Sequence, residues 1–396
     1  MKKALFLSVL CLSSFTIYSQ NTWIQKQNLT GSMRSYASVF SIGTKAYLGT
    51  GGQGSNYMVD FWEYDQSSNI WTQRASFPGN PRYGAAAFTI GNKGYVGTGY
   101  NGTIGRFSDF CEYDPTLNTW TVKTNFGGGI REGIASFAIG NKGYFATGYT
   151  PVNKQDLWEY DPTANTWTQK ANFPGTARQW ATGMAIGNYG YVGLGNDGAD
   201  KSDWWQYNPS TNSWLLKANF GGIARREASG FSTLCYGYIG LGRNGTTTQN
   251  DFWRYNPTTD SWQSIANFPS SARYAATSVT IGSYGYVGTG NNGSTELNDW
   301  WEYTPFNVGI DELNKGNLIS QIYPNPFSDF TTINFKQEVK NAKVIIYDMQ
   351  GKEIKIINDV KGNSLVVKRE GISSGTYIMN VVTEEGLSGT SKILVK

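Results

Sequence analysis

The sequence predicts an all-β protein: a six-bladed β-propeller whose last blade is closed by the N-terminal strand, followed by a small C-terminal β-sandwich. Three observations carry this prediction, namely the composition, a repeat of 47 to 49 residues, and a change of pattern near residue 306. Aromatic residues make up 15% of the chain and charged residues only 16%, and there are 48 glycines. Many aromatic residues between many glycines are typical of short strands, tight turns and an aromatic core.

Two residue types mark the repeat. A tryptophan that follows a short polar turn and an arginine both recur six times, with the same steps of 48, 49, 47, 47 and 48 residues. The tryptophans are Trp23, Trp71, Trp120, Trp167, Trp214 and Trp262, and the arginines are Arg34, Arg82, Arg131, Arg178, Arg225 and Arg273. Because two residue types keep one step, each repeat is predicted to be one structural unit.

One repeat can be divided into four strands from its turn residues and its pattern of small and aromatic residues. The predicted segments are a strand at 82–88, a hairpin turn at 91–94, a strand at 95–99, a polar loop at 100–108, a strand at 109–113, a turn at 114–118 and a strand at 120–123. Glycine, proline and asparagine stand where tight turns require them. Four strands in a repeat of this length form one propeller blade.

The two ends of the repeat region predict how the ring of blades closes. The chain enters on a fourth strand at Thr22–Gln25, and the sixth repeat stops after its third strand at Trp300–Tyr303. We therefore expect the N-terminal strand to complete the last blade, so that no sheet edge is left free at the seam. The predicted propeller covers residues 20–306.

The junction between the third and fourth predicted strands reads Glu-Tyr-Asp-Pro-Thr-x-Asn-Thr-Trp at 112–120 and 159–167. This pattern resembles the kelch repeat, and the resemblance extends over residues 21 to 305. It implies a kelch-type propeller. The chain departs from the kelch pattern at the end of the second strand, where a double glycine is usual. Only Gly51–Gly52 keeps it, and the other repeats carry Tyr100, Tyr149, Asn196, Arg243 and Asn291.

The residues after the repeats predict a linker at 307–320 and a second domain of alternating strands at 321–396. Four segments of this domain resemble the C-terminal sorting domain of type IX secretion cargo. They are Tyr323-Pro-Asn-Pro, Ile346–Gly351, Gly375–Tyr377 and the terminal Lys392–Lys396. The resemblance implies the type IX secretion machinery as a partner, and a protein that is secreted or held on the surface of a Gram-negative bacterium. The alternative is a β-sandwich with a purely structural role.

Residues 1–19 have the pattern of a secretory signal peptide. Lys2 and Lys3 precede an apolar stretch from Ala4 to Leu12, and the small Ser19 precedes the predicted cleavage site. The alternative is an ordinary buried strand. No other segment approaches the ~20 apolar residues that a membrane-spanning helix needs, so we expect no transmembrane segment.

The composition excludes several classes of function. The chain has no histidine, which excludes copper oxidases with histidine ligands and catalysis by Ser-His-Asp or Cys-His groups. A net charge of +4 is small for 396 residues and gives no concentrated basic face for nucleic acid. Outside the predicted signal peptide, which contains Cys11, only Cys111 and Cys235 remain, and we expect both to be free and buried.

The six arginines open the first strands, so we expect them around the mouth of the central channel. There they would form a funnel that attracts an acidic glycan through bidentate contacts. The alternative is that each arginine pairs with a neighbouring blade or a backbone carbonyl. A second ladder is interpreted as a set of loop anchors rather than a ring of calcium ligands. It consists of Asp60, Asp109, Asp156, Asp203, Asp251 and Asp299.

Residues beside the arginines differ between repeats, and they are the main candidates for ligand binding. Aromatic faces with a few polar groups suit a sugar ring. The alternative for each position is a solvated residue that varies without consequence. The candidates beside the arginines are Tyr36, Tyr83, Trp180, Arg226 and Tyr274, and those at the ends of the second strands are Tyr100, Tyr149 and Arg243.

The sequence favours a monomeric, non-catalytic protein that recognises a glycan or an extracellular protein through this face. The first alternative is a glycan-active enzyme similar to the sialic-acid epimerases among kelch propellers. Glu132 and Glu227 would then serve as acid and base, although they belong to the third and fifth blades. The second alternative is a purely structural surface protein. No cofactor is expected, and the one indication of a metal is calcium at Asn196–Asp200 with Asp203.

Overall fold

The structure is a computed structural model that describes residues 21–233, 235–305, 318–348, 353–383 and 388–396. The described residues form strands, turns and loops without a helix, which confirms the all-β prediction. Within them, no helix of the length and apolarity needed to cross a membrane is present. They divide into two compact units, one on each side of residues 306–317. The predicted signal peptide and most of the predicted linker lie outside the described residues.

The described residues of the first unit form thirty short strands. Its first half contains β1 (Thr22–Lys26), β2 (Ser38–Ile42), β3 (Lys45–Gly49), β4 (Gly52–Gln53), β5 (Asn56–Tyr57), β6 (Phe61–Asp65), β7 (Ile70–Arg74), β8 (Ala86–Ile90), β9 (Lys93–Gly97), β10 (Tyr100–Asn101), β11 (Gly105–Arg106), β12 (Phe110–Asp114), β13 (Thr119–Lys123), β14 (Ala135–Ile139), β15 (Lys142–Ala146), β16 (Leu157–Asp161) and β17 (Thr166–Lys170). The remainder are β18 (Thr182–Ile186), β19 (Tyr189–Gly193), β20 (Trp204–Asn208), β21 (Ser213–Lys217), β22 (Ser229–Ser232), β23 (Gly237–Gly240), β24 (Arg243–Asn244), β25 (Thr247–Thr248), β26 (Phe252–Asn256), β27 (Ser261–Ile265), β28 (Thr277–Ile281), β29 (Tyr284–Gly288) and β30 (Trp300–Thr304).

These strands form six four-stranded antiparallel sheets, which we number after the repeats. Sheets 1 to 6 have the orders β2-β3-β6-β7, β8-β9-β12-β13, β14-β15-β16-β17, β18-β19-β20-β21, β22-β23-β26-β27 and β28-β29-β30-β1. The loop between the second and third strands carries a two-stranded hairpin in three repeats: β4-β5, β10-β11 and β24-β25. The predicted strand at 82–88 is shorter than expected, because regular pairing begins at Ala86 and Arg82 makes only an isolated bridge.

The N-terminal strand completes sheet 6, as the sequence predicted. Trp23 of β1 pairs with Tyr303 of β30, and its indole N–H donates to the Ala266 carbonyl at 3.0 Å. The side chain of Asn21 accepts the backbone N–H of Ala266 at 2.9 Å. The same pair of contacts joins the other sheets, as where Trp71 donates to Gln27. The junction between sheets 5 and 6 is therefore held by the same two hydrogen bonds as the other junctions between sheets.

The six sheets close into a ring at their inner edges, where the first strands of neighbouring sheets contact one another. Two residues after each repeated arginine, a residue with φ between 52° and 65° donates its backbone N–H to the carbonyl of its counterpart in the preceding sheet. We call these six residues the inner ring: Tyr36, Gly84, Gly133, Trp180, Glu227 and Ala275. Their hydrogen bonds, at 2.9 to 3.3 Å, form a closed cycle.

Packing between sheets explains why the inner strands carry small residues. The Phe40 ring of sheet 1 lies against Gly94 of sheet 2, where a Cβ would overlap it. Phe88 and Gly143 repeat this contact between the next two sheets. Since an interior of this density has no room for an added methyl group, glycine is required where an aromatic ring of the neighbouring sheet approaches.

The described strands of the second unit form one five-stranded sheet. Its strands are β31 (Ile319–Tyr323), β32 (Phe330–Asp348), β33 (Glu353–Lys368), β34 (Gly375–Val382) and β35 (Ser388–Val395). The order is β31-β32-β34-β35, and β33 pairs with the other edge of β32. Buried side chains such as Ile333, Val344 and Met379 form its core. The strand at Ile319 begins just inside the predicted linker, whose end is therefore earlier than residue 320.

Candidate functional site

The six repeated arginines are buried and paired, with at most 1% of each residue exposed. Arg34 donates to both carboxylate oxygens of Asp60, at 2.8 and 2.7 Å, and to the Thr50 carbonyl at 3.0 Å. We call the six equivalent pairs the framework pairs: Arg34–Asp60, Arg82–Asp109, Arg131–Asp156, Arg178–Asp203, Arg225–Asp251 and Arg273–Asp299. The predicted anion funnel of Arg34, Arg82, Arg131, Arg178, Arg225 and Arg273 is therefore wrong, because these guanidinium groups are buried and each is already bound to an aspartate.

The aspartates of the framework pairs hold their loops through side-chain donors. Asp60 accepts the indole N–H of Trp62 at 2.6 Å in addition to its two bonds from Arg34. Burial alone would raise the pKa of Asp60, but the hydrogen bonds and charge of Arg34 outweigh it, so that this pKa lies below its ordinary value. The anchoring interpretation thus holds, with the arginine as a donor in all six pairs and a tryptophan as a further donor in five of them.

Beyond each framework pair, the backbone builds the same small ladder in all six repeats. The residue after the arginine bridges the residue at the end of the second strand, as Tyr83 bridges Tyr100 through two hydrogen bonds of 2.9 Å. The second-strand residue in turn pairs with the returning loop, as Tyr100 pairs with Arg106. The side chains on these ladders differ from repeat to repeat, although the backbone does not.

A cavity of about 440 Å³, which we call the mouth cavity, opens among these ladders and the inner ring. Every repeat contributes to its lining: Ser35, Tyr36, Gly52, Gly54, Tyr57, Tyr83, Glu132, Tyr149, Gln179, Trp180, Glu227, Arg243, Tyr274, Asn291 and Glu296. The structure thus brings together six of the predicted binding residues, namely Tyr36, Tyr83, Tyr149, Trp180, Tyr274 and Arg243. It also brings both Glu132 and Glu227 to this one cavity, although they belong to sheets 3 and 5.

The floor of the mouth cavity is aromatic. The ring centroid of Tyr36 lies 4.7 Å from that of Trp180 and 5.3 Å from that of Tyr83. Trp180 lies over Gly84 and Gly133, where an added Cβ would come within 2.7 and 2.9 Å of its ring. Gly84 and Gly133 of the inner ring therefore leave the space that the Trp180 indole occupies.

Three residues of the mouth cavity have a strained backbone conformation. Tyr36, Trp180 and Glu227 have φ of 54° to 56°, in the left-handed region that costs side-chain-bearing residues about 1 kcal/mol or more each. The hydrogen-bond cycle of the inner ring offsets that cost. Such strain is common where a binding or catalytic site fixes a side chain in one direction.

Two buried carboxylates lie in the walls, each with its own arginine. Glu132 is 2.7 Å from Arg106, whose guanidinium lies between the rings of Tyr100 and Tyr149 at 4.7 and 4.6 Å. Burial raises the pKa of Glu132 above its ordinary value, although the charge and hydrogen bond of Arg106 oppose the rise. The Glu132 carboxyl therefore protonates more readily than an ordinary glutamate carboxyl.

Glu227 is held by two side chains, those of Arg243 and Tyr36. Arg243 approaches its two oxygens at 2.8 and 2.5 Å while lying 4.2 Å above the Tyr274 ring. The Tyr36 hydroxyl donates to Glu227 at 2.7 Å. Burial, together with the charge of Glu227, holds the pKa of Tyr36 well above its ordinary value, so that the phenol stays a donor.

Two predicted binding residues do not line the mouth cavity. Tyr100 lies behind Tyr83, with ring centroids 5.6 Å apart. Arg226 turns to Asp200 at 2.7 Å and to the Gly245 carbonyl at 3.0 Å. Both residues lie near the cavity and support its walls, and the prediction that they contact a ligand is corrected accordingly.

The loop that suggested calcium is held together by its own ion pairs. Asp200 pairs with Arg226, Asp197 with Lys201 at 2.9 Å, and Asp203 with Arg178. In the described part of the chain, no group of three or more acidic or cysteine side chains is arranged to hold a metal ion. The carboxylates of this loop thus already have cationic partners within the protein.

Comparisons with known proteins connect this geometry to two families. Residues 242–269 match the model of the kelch motif, and residues 321–396 match the model of the secretion system C-terminal sorting domain. The chain carries a kelch motif and a type IX secretion sorting domain. The sorting domain indicates a secreted or cell-surface protein of a Gram-negative bacterium and implies the type IX secretion machinery.

The chain also matches a solved structure. "Structure of YjhT", a kelch-type propeller, superposes with a TM-score of 0.59 at 17% sequence identity, covering 68% of this chain and 95% of that one. At this identity the likeness shows the fold alone. The comparison with curated proteins found no match.

Two residues that line the mouth cavity, Tyr57 and Glu296, were not found from the sequence. Tyr57 and Glu296 come from the loops that return to the second strand, at the same ladder position as Arg106. Tyr57 pairs with Gly52, and Glu296 pairs with Asn291. Because these loops differ in length, no constant step in the sequence marks the position. The departure from double glycine marks second-strand residues such as Asn291, the partner of Glu296, but it gives no signal for Tyr57, whose partner Gly52 keeps the double glycine.

Proposed function

We propose that the kelch region is a six-bladed propeller that binds a carbohydrate in the mouth cavity. One observation carries this proposal: an aromatic floor of Tyr36, Tyr83 and Trp180 is surrounded by carboxylate, amide and guanidinium groups. A sugar ring has C–H faces that pack on aromatic rings, and its hydroxyls both donate and accept hydrogen bonds. The cavity volume lies in the range of about 300–1,000 Å³ that is usual for small-molecule sites.

The six-bladed arrangement is supported by the closed cycle of inner-ring hydrogen bonds and by the seam between β1 and β30. In this arrangement the cavity lies on the propeller axis. All six blades then contribute residues to one site. For the second unit we propose a β-sandwich, since the long strand β32 pairs with three other strands, with register shifts along it, around one core.

A glycan array tests the carbohydrate proposal. The full chain without its predicted signal peptide is applied to an array of neutral, acidic and amino-bearing glycans, after its folding has been checked by circular dichroism. We expect a focused set of related glycans, and a Trp180→Ala variant should lose them. A blank array from folded protein would contradict the proposal and would leave an extracellular protein partner or a structural role, which affinity capture would separate.

An enzyme acting on a glycan is a second candidate, because Glu132 and Glu227 line the same cavity. The two carboxylates differ in environment: the pKa of Glu132 is raised by burial, whereas Glu227 is held by Arg243 and Tyr36. Carboxyl groups in unlike environments are suited to act as acid and base in a proton transfer.

Hydrogen exchange separates catalysis from binding. Each glycan found on the array is incubated with the protein in D₂O, and carbon-bound hydrogen is followed by NMR. A proton-transferring enzyme would replace hydrogen by deuterium at one carbon, and Glu132→Gln or Glu227→Gln would stop this exchange. Binding without exchange would restrict the function to recognition.

A further inference from the structure

We propose that the carbohydrate carries a positive charge, as an amino sugar does, and that Glu296 binds its ammonium group. The inference rests on the proposed carbohydrate site and specifies its ligand class. It replaces the acidic glycan that the arginine ladder suggested, because the charges at the mouth cavity have the opposite sign.

The side chains that line the cavity are acidic on balance. Three carboxylates, Glu132, Glu227 and Glu296, face it, against one lining guanidinium, that of Arg243. Arg243 is bound to Glu227, and Arg106 is bound to Glu132 from behind the wall. Each of these arginines is thus neutralised by a carboxylate, and an anionic ligand would have to compete with that carboxylate for it.

Glu296 is the exception among the three carboxylates. Its Oε1 accepts weak hydrogen bonds from Asn291 Nδ2 at 3.1 Å and from the Gly54 backbone N–H at 3.3 Å. Within the described residues, no lysine or arginine forms an ion pair with it. It is partly exposed in the cavity wall, where a ligand cation can reach it.

Aromatic faces surround the same part of the wall. Tyr57 belongs to the hairpin whose Gly54 contacts Glu296, and its ring centroid lies 5.5 Å from that of Tyr83. Tyr274 bridges Asn291, the pairing partner of Glu296. Aromatic faces attract cations electrostatically, so these tyrosines and Glu296 act in the same direction on an ammonium group.

Titration calorimetry with two oligosaccharides of equal length tests the inference. The glucosamine tetramer carries ammonium groups at pH 6, and the N-acetylglucosamine tetramer has none. For the full chain without its predicted signal peptide, we expect the charged tetramer to bind about five- to tenfold more tightly, as one charge-assisted hydrogen bond would give. Glu296→Gln should remove that preference while changing the affinity for the acetylated tetramer less than about twofold.

A charge-matched control is Glu370→Gln, which removes one exposed carboxylate from the second unit and should leave the preference intact. Equal or tighter binding of the acetylated tetramer, or a preference that survives in Glu296→Gln, would overturn the inference. If the array identifies neutral or acidic glycans and the glucosamine tetramer does not bind, the inference fails and carbohydrate binding stands. If no carbohydrate binds, both fail.

Discussion

The framework pairs and the mouth cavity are built from adjacent residues of the same repeats, and they differ in what is repeated. At the arginine position all six repeats carry the same side chain, buried and bound to an aspartate. One and two residues later the backbone contacts still repeat, but the side chains range from glycine to tryptophan. The framework pairs fix the backbone in each repeat, which leaves the neighbouring side chains free to form a single asymmetric site.

The largest effect on stability is expected when one arginine of the framework pairs is removed. Arg225→Met leaves the Asp251 carboxylate without its guanidinium partner and the Leu241 carbonyl without its donor. Breaking a buried ion pair in this way lowers the free energy of unfolding by about 3–5 kcal/mol. Urea denaturation of the variant measures the loss.

Arg74→Met is the control for that substitution. The Arg74 side chain is 31% exposed, and its partner Glu63 keeps a second bond from Lys45. Its loss should cost about 1 kcal/mol or less. Equal effects of the two substitutions would show that the framework pairs have no special role.

The second prediction concerns the space under Trp180. Gly133→Ala places a Cβ within 2.9 Å of the indole at a residue with φ of 64°. We expect a loss of about 2–3 kcal/mol in the free energy of unfolding, of which about 1 kcal/mol is the left-handed backbone. Glycan affinity should fall as well, because the floor of the cavity must move.

Gly140→Ala separates the cost of the left-handed backbone from the cost of the overlap with the Trp180 ring. Gly140 has φ of 55°, and an added Cβ there meets no atom within 4 Å. This variant should lose only the backbone contribution of about 1 kcal/mol and bind glycans like the parent protein. If both variants bind normally, Trp180 is not part of the site.

The smallest expected effect concerns the free energy of unfolding, which should depend on pH in opposite ways through the framework pairs and through Glu132 of the mouth cavity. The pKa values of Asp251 and Asp299 lie below their ordinary values, because arginine contacts outweigh burial, so their stabilisation is lost as the pH falls below about 3.8. Glu132 has a raised pKa, so its contribution has the opposite sign and stability falls as the pH rises above 4.5. The difference in unfolding free energy between the parent and Glu132→Gln, measured from pH 4 to 7, should show this decline. A flat difference would contradict the raised pKa.

The sequence was sufficient for the four main strands of each repeat and for the seam, because tryptophan, arginine and turn residues recur with one step, but it did not predict the late start of the first strand or the hairpins in the loops. It was not sufficient to place the arginines. A constant step shows that six residues are equivalent, but it does not show whether they face solvent or protein. The spacing from each arginine to its aspartate is also nearly constant, from Arg34 to Asp60 and from Arg273 to Asp299. That second regularity indicates pairing, and it was present in the sequence.

The mouth cavity could be predicted in part. Residues beside the arginines were found because they vary where the rest of the repeat does not, as Tyr36 and Trp180 show. Tyr57 and Glu296 could not be found in this way, because they come from loops of different length. The contact of Trp180 with Gly84 and Gly133 also joins three repeats, and no pattern within one repeat contains it.

Calorimetric titration of Trp180→Ala tests the central claim, that the non-repeated mouth residues form the binding site, most directly. The ligand is the strongest glycan from the array, and Tyr189→Ala, at a hairpin at the far end of sheet 4 from the mouth, is the control. We predict that Trp180→Ala weakens binding about 10- to 100-fold, as the loss of a central aromatic contact does, and that Tyr189→Ala changes it less than about twofold. Unchanged affinity in a folded Trp180→Ala variant would contradict the account.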